Sequence, residues 1–98
     1  MISRIFFHEA AETELIEAAM FYESEVKGLG QAFLDEVTSA VKQIQAHPEA
    51  APLIGKMIRR KLVRRFPYSL MYSVVADSVR ILALANQKRR PFYWHRRS

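Results

Sequence analysis

The 98-residue sequence predicts an α+β fold: an N-terminal strand, then an antiparallel two-helix hairpin packed on a three- to four-stranded antiparallel sheet, in the order β-α-α-β-β-β. Three observations predict it. Apolar residues recur twice at helical spacing in the first half, with Gly28 and Gly30 between the two segments. From residue 58 onward the apolar pattern alternates or runs continuously, as in strands. Turn-forming residues interrupt those runs at Phe66-Pro67-Tyr68 and at Asp77-Ser78. Half the residues are hydrophobic, enough for one core and too few for two, so residues 1–98 are expected to form one domain.

Residues 2–8 are short, apolar and aromatic, and read as the first strand. From Glu9 the period changes. Ala11, Leu15, Ala18, Tyr22 and Val26 line one helix face, with glutamates filling the rest and Glu9 and Glu12 suited to the positive end of the helix dipole. Gly28 and Gly30 read as its stop signal. A second helix follows from about Gln31, with Phe33, Leu34, Val37, Val41 and Ile44 as its apolar face, and ends at His47-Pro48. Residues 47–57 read as a loop. Strands are expected at 58–66, 69–76 and 79–85. The last is apolar on both parities and belongs in the centre of the sheet. In 58–66 alternation fails, because Ile58, Leu62 and Phe66 share a face with Arg60 and Arg64; a bulge or an edge position would explain this.

The net charge of +5 hides a division. Residues 1–50 carry a net charge of −6 and residues 51–98 a net charge of +11. Pairing across the fold absorbs part of that excess, and the rest points to a basic face that meets a polyanion or an acidic protein. Two clusters hold most of it. One is Lys56, Arg59, Arg60, Lys61, Arg64 and Arg65; the other is Lys88, Arg89, Arg90, Arg96 and Arg97, interleaved with Phe92, Tyr93 and Trp94. In a meander the start of the tail lies near Arg64–Tyr68, so the clusters should converge. Arginine forks grip phosphate or carboxylate, and aromatics stack on bases. Phe92 and Trp94 are expected to clamp the tail to the core, leaving Tyr93 or His95 as outward-facing acid–base groups.

Other chemistries find little support. The chain has no cysteine, and His8, His47 and His95 are scattered, so no metal site or cofactor is expected. Gly28, Gly30 and Gly55 fit no phosphate-binding loop, and no serine sits in a nucleophile elbow. Carboxylate pairs such as Glu14 and Glu17 read as solvated helix surface. The first eight residues lack the apolar core and cleavage site of a signal peptide, and no apolar run approaches the roughly 20 residues of a membrane span. A reducing cytoplasmic location is therefore expected, with no membrane contact.

The ordered set Phe21-Tyr22, Gly28-Leu29-Gly30, Phe66-Pro67-Tyr68, Tyr72 and Arg89-Arg90-Pro91 to Tyr93-Trp94 resembles the RelE/ParE superfamily of type II toxin–antitoxin toxins. The likeness covers nearly the whole chain and is strongest to ParE-like members, also known as plasmid-stabilisation proteins. It implies a growth-inhibiting toxin held inactive, as a hetero-oligomer, by a cognate antitoxin with a ribbon-helix-helix, ParD-like start. RelE-type toxins cut mRNA on the ribosome without a metal, using strand cations and a C-terminal tyrosine; ParE-type toxins block DNA gyrase and lack that set. By resemblance, Arg89 matches the arginine after the last strand and Tyr93 the tyrosine, with Arg65 as a supporting cation. The nuclease arginine after the aromatic hinge falls at Ser69, however, and a lysine position falls at Leu62. Losing the central cation removes roughly 3–4 kcal/mol of transition-state stabilisation, by analogy with a lost oxyanion donor. The resemblance thus implies a gyrase inhibitor rather than an enzyme, with a ribosome-dependent endoribonuclease as the alternative. Arg59, Arg60, Arg64, Arg65, Lys88, Arg89 and Arg90 are the expected target- or nucleic-acid-binding residues.

Overall fold

The computed structural model describes residues 4–97. Strand β1 (Arg4–Phe7) leads into helices α1 (Glu9–Glu25) and α2 (Leu29–Ala46), followed by β2 (Arg59–Leu62), β3 (Tyr68–Val75) and β4 (Ser78–Asn86), with one 3-10 turn at His95–Arg97. The order of elements is the expected one. Ile2 and Ser3 of the expected first strand, and Ser98 of the tail, lie outside the described residues. His8, expected to end that strand, instead caps α1: its Nδ1 accepts from Ala10 N–H at 3.0 Å.

The four strands lie in the order β1-β4-β3-β2. β4 is interior, as its two-sided apolar pattern requires, and β2 is an edge. One expectation fails. β2, β3 and β4 form an antiparallel meander, but β1 pairs with β4 in parallel, with Phe7 opposite Ile81, so the sheet is mixed. A connection as long as the helical hairpin imposes no reversal of direction, unlike a tight turn, and β1 docks beside β4 rather than beside β2.

The strand ends also shift. β2 stops at Leu62 instead of running to Phe66, because the chain turns through Arg64 and Arg65, with Arg65 at φ 71°. β3 and β4 each start one residue earlier than expected. Their hairpin turns on Ala76-Asp77 rather than Asp77-Ser78, with Ala76 at φ 55°. A bulge interrupts their ladder, since Met71 faces Ala83 while Tyr72 faces Ile81, leaving Leu82 as the extra residue.

The hairpin of helices depends on two glycines with different jobs. Gly28 adopts the left-handed conformation (φ 86°) that reverses the chain. Gly30 is not a stop signal but lies inside α2, where a Cβ would come within 2.6 Å of the Ala19 carbonyl oxygen. The two helices approach closely there. Glu23, expected to be surface filler, accepts from the N–H groups of both Gly28 and Gly30 at 2.9 and 3.0 Å. A carboxylate thus caps the positive end of α2, whose N-cap glycine has no side chain to do so. Val26 is the C-cap of α1 and points to solvent, so the buried face of α1 ends at Tyr22.

Between helices and sheet lies the main core. Tyr22, Phe33, Phe66 and Tyr68 form an aromatic cluster, with Phe66 edge-on to Tyr22 and Phe33 at centroid distances of 4.9 and 5.0 Å. Leu70, Tyr72, Val79, Ile81 and Ile44 extend it. The aromatic hinge after the first basic cluster is therefore a core anchor: once β2 ends, Phe66 and Tyr68 carry the chain under the helices. Met71, Ala83 and Ala85 face the other side of the sheet, where Trp94, Ile54 and Ile58 cover them.

Candidate functional site: a basic cleft under the C-terminal segment

The site begins with an unfinished sheet edge. β1 ends at Phe7, but β4 continues, so among the described residues no strand lies beside the backbone from Leu82 to Leu84 on that side. Unpaired backbone groups in a half-buried position must find other partners. Here side chains supply them. Leu84 N–H donates to Glu14 Oε1 at 3.1 Å, and the Leu82 carbonyl accepts from Arg97 Nη1 at 3.2 Å. Glu14 comes from the middle of α1 and Arg97 from the end of the tail.

Glu14 gathers more than one donor. Arg97 engages both its oxygens, Nη1 to Oε1 at 2.8 Å and Nη2 to Oε2 at 3.2 Å. The Tyr93 hydroxyl donates to Oε2 at 2.7 Å, and Arg89 Nη1 stands 4.0 Å from the same oxygen. The guanidinium of Arg89 lies over the Tyr93 ring, 3.9 Å from its centroid. Burial pushes the Tyr93 phenol well above its usual range, the hydrogen bond and charge of Glu14 push the same way, and Arg89 and Arg97 pull it back. The sequence reading of Glu14 as solvated is thus overturned: its side chain is 13% exposed and holds the tail.

Beside this cluster the tail and the outer face of the sheet enclose a cleft of about 450 Å³, lined among others by Arg60, Ser69, Met71, Arg89, Arg90 and Trp94. Its floor is neutral, with Ser69 only 3% exposed. Its cations stand at the rim: Arg60 from β2 on one side, Arg89 and Arg90 from the tail on the other. Trp94 is 4% exposed and pins the tail to Met71, Ala83 and Ala85. Phe92, expected to help pin it, is 53% exposed and only edges Trp94 at 5.6 Å. Tyr93 takes that task instead. His95 is exposed, and its Nδ1 lies 2.7 Å from the Phe92 carbonyl oxygen.

The two basic clusters do converge, but only in part. The Gln87 N–H donates to the Pro67 carbonyl at 2.8 Å, tying the start of the tail to the aromatic hinge. Arg60, Arg89 and Arg90 share the cleft. Arg64 and Lys88 are exposed in adjoining turns. Arg59 and Arg65 point elsewhere. Arg59 Nη1 donates to the carbonyls of Glu49 and Ala51 at 2.9 and 2.7 Å and, with the Tyr72 hydroxyl on Pro48 carbonyl at 2.6 Å, fastens the loop after α2. Arg65 stands 3.9 Å from Glu36 of α2 and is not among the residues lining the cleft. Leu62, at the other departure from the nuclease pattern, pairs with Ser69 in the ladder and faces solvent. Among the described residues no group of three His, Cys, Asp or Glu side chains could hold a metal ion, and no helix is long and apolar enough to cross a membrane.

The family described as ParE toxin of type II toxin-antitoxin system, parDE, matches residues 5–91. No curated protein matches the chain. Among solved structures, a chain of the chromosomal ParDE TA system from P. aeruginosa shares the fold with a TM-score of 0.61 at 19% identity, over 85% of this chain and 94% of that one. The α+β order of one strand, two helices and three strands is thus one that this chain shares with a solved chain of a ParDE system. The chain belongs to the ParE toxin family of type II toxin–antitoxin systems.

Proposed function

We propose that this toxin arrests growth by binding DNA gyrase through the rim of the cleft, with Arg60, Arg89 and Arg90 at the contact and Arg64 and Lys88 flanking it. The observation that carries this reading is the neutral floor. A nuclease that cleaves RNA by its own 2′-hydroxyl must place cations against the crowded phosphate and a proton donor or acceptor beside it. The buried lining of this cleft offers Ser69 and Met71, which carry no charge, and the phenol of Tyr93 is bound to Glu14 with its proton held more tightly than usual. Rim arginines above a neutral floor are suited to gripping acidic or phosphate groups without transforming them.

A cognate antitoxin, ParD-like with a ribbon-helix-helix start, neutralises the toxin in a hetero-oligomer within the cytoplasm. The net charge of +11 on residues 51–98 favours an acidic segment as the neutralising element. The single domain of residues 1–98 carries both contacts.

Supercoiling by purified gyrase, titrated with the toxin alone and with the toxin bound to its antitoxin, tests the proposal. Inhibition by the free toxin and relief in the complex are expected; unimpaired supercoiling at large toxin excess overturns it. The ribonuclease reading keeps one geometric support, the stacking of Arg89 on Tyr93. New codon-linked mRNA ends after induction would decide for it.

A further inference from the structure

The apolar hold on the C-terminal segment is thin. Among residues 87–97 Trp94 alone is buried, while Arg89, Arg90, Pro91, Phe92, His95 and Arg96 are exposed. The segment is also strongly cationic, and like charges so close in sequence repel. Backbone carbonyls of Pro67, Leu82 and Leu84 take Gln87, Arg97 and the Tyr93 hydroxyl, but the charged fastening centres on one carboxylate, Glu14, which takes Arg97 with both oxygens, Tyr93 with one, and reaches Arg89 at 4.0 Å. The same carboxylate caps Leu84 N–H on the open edge of β4. Arg89 is then fixed twice: by the charge of Glu14 and by the ring of Tyr93, which Glu14 itself orients.

We infer that Glu14 is the positioning residue of the cleft: from α1, outside the lining of the cleft itself, it fastens the C-terminal segment across the open end of β4 and sets Arg89 at the rim. This rests on the reading of that rim as the face that meets the toxin's target. Glu14 does not touch the target. It acts through Tyr93, Arg97 and Arg89, and its loss frees the segment without dismantling the helix–sheet core.

Trp94 makes the inference measurable apart from toxicity, because it is the sole tryptophan of the chain and is held in the tail. In the full-length Glu14→Gln variant, Trp94 emission is expected to move to the red and to become accessible to acrylamide, while far-UV dichroism stays that of the wild type. The dose of toxin needed for half-maximal growth arrest should rise about tenfold or more, the equivalent of one lost charge-assisted contact. Arg97→Lys keeps a cation but cannot bridge both carboxylate oxygens, so its emission and dose should fall between wild type and Glu14→Gln. Unchanged emission in Glu14→Gln overturns the inference. A red shift with undiminished growth arrest overturns the positioning role. If Glu14→Gln does not fold, Arg97→Ala gives the same reading from the tail side with α1 intact: buried Trp94 and full toxicity there would also overturn it. Wild-type toxin that leaves growth untouched, with the emission shift still present in the variant, would sink the target-face reading and not the fastening.

Discussion

The two faces of the sheet are built on different principles. Toward the helices, Tyr22, Phe33, Phe66 and Tyr68 interlock with Leu70, Tyr72, Val79 and Ile81, and stability comes from apolar area that is insensitive to any one hydrogen bond. On the outer face, Met71, Ala83 and Ala85 make a narrow strip covered mainly by Trp94, and the segment above it is held by directional bonds to Glu14. The difference teaches where to look for function. A face held by area tolerates little change and does little else. A face held by a few polar anchors can present cations at a rim and a cleft beneath it.

The sharpest contrast should come from Phe33, which is fully buried among aromatic rings. Phe33→Ala should cost about 3–5 kcal/mol, a large share of the stability of so small a domain. Urea or thermal denaturation checks this, and a cost near that of a surface substitution would show that the helix-facing side is not the main store of stability.

Next in size is Gly30→Ala. A methyl there meets the Ala19 carbonyl at 2.6 Å and the Glu23 side chain at 2.9 Å, so the helices must separate. A loss of about 1–3 kcal/mol is expected, as for overpacking. Gly28→Ala makes a useful pair, since its added methyl meets open space and only the left-handed backbone resists it. It should cost roughly 1–2 kcal/mol. Equal and negligible effects at both positions in thermal melts would refute the close approach at Gly30.

A smaller effect belongs to the outer face. Tyr93→Phe keeps the ring under Arg89 and removes the hydroxyl that donates to Glu14. Since the carboxylate keeps Arg97 and Leu84 N–H, the loss should be about 1–2 kcal/mol. The variant also separates the functional readings: a gyrase inhibitor should retain much of its toxicity, whereas a nuclease relying on the phenol should lose nearly all of it.

The helix-facing side was largely legible in the sequence, and the outer side was not. Helical spacing marks Ala11, Ala18, Phe33, Val37 and Ile44 directly, because burial on one face leaves a period in the chain. The parallel placement of β1 leaves no such trace, since a long connection permits either direction. Glu14 was missed for a related reason. Among the glutamates of α1 it has no distinguishing neighbour, and its partners Tyr93 and Arg97 are 79 and 83 residues away. Its one local hint is that it adjoins Leu15 and Ala18 at the border of the buried face. Arg59 was read with the other bases because charge counts do not reveal a guanidinium bound to the carbonyls of Glu49 and Ala51.

The least destabilising change is expected to have the greatest consequence for function. Arg89 is 55% exposed, its contact with Glu14 is at 4.0 Å, and its stacking on Tyr93 occurs at the surface. Exposed ion pairs and cation–π contacts of this kind contribute at most about 1 kcal/mol. Arg89→Ala should therefore melt within a few degrees of the wild type while growth arrest falls sharply, because the cation removed stands at the rim of the cleft. Arg59→Ala provides the opposite case. Its guanidinium closes the loop after α2, so that variant should lose stability while the toxicity of its folded fraction survives. Measuring melting temperature and growth arrest for the two variants side by side tests the division between faces. If Arg89→Ala unfolds the protein, or if both variants lose toxicity only in proportion to the folded fraction, the outer face has no role beyond holding the chain together.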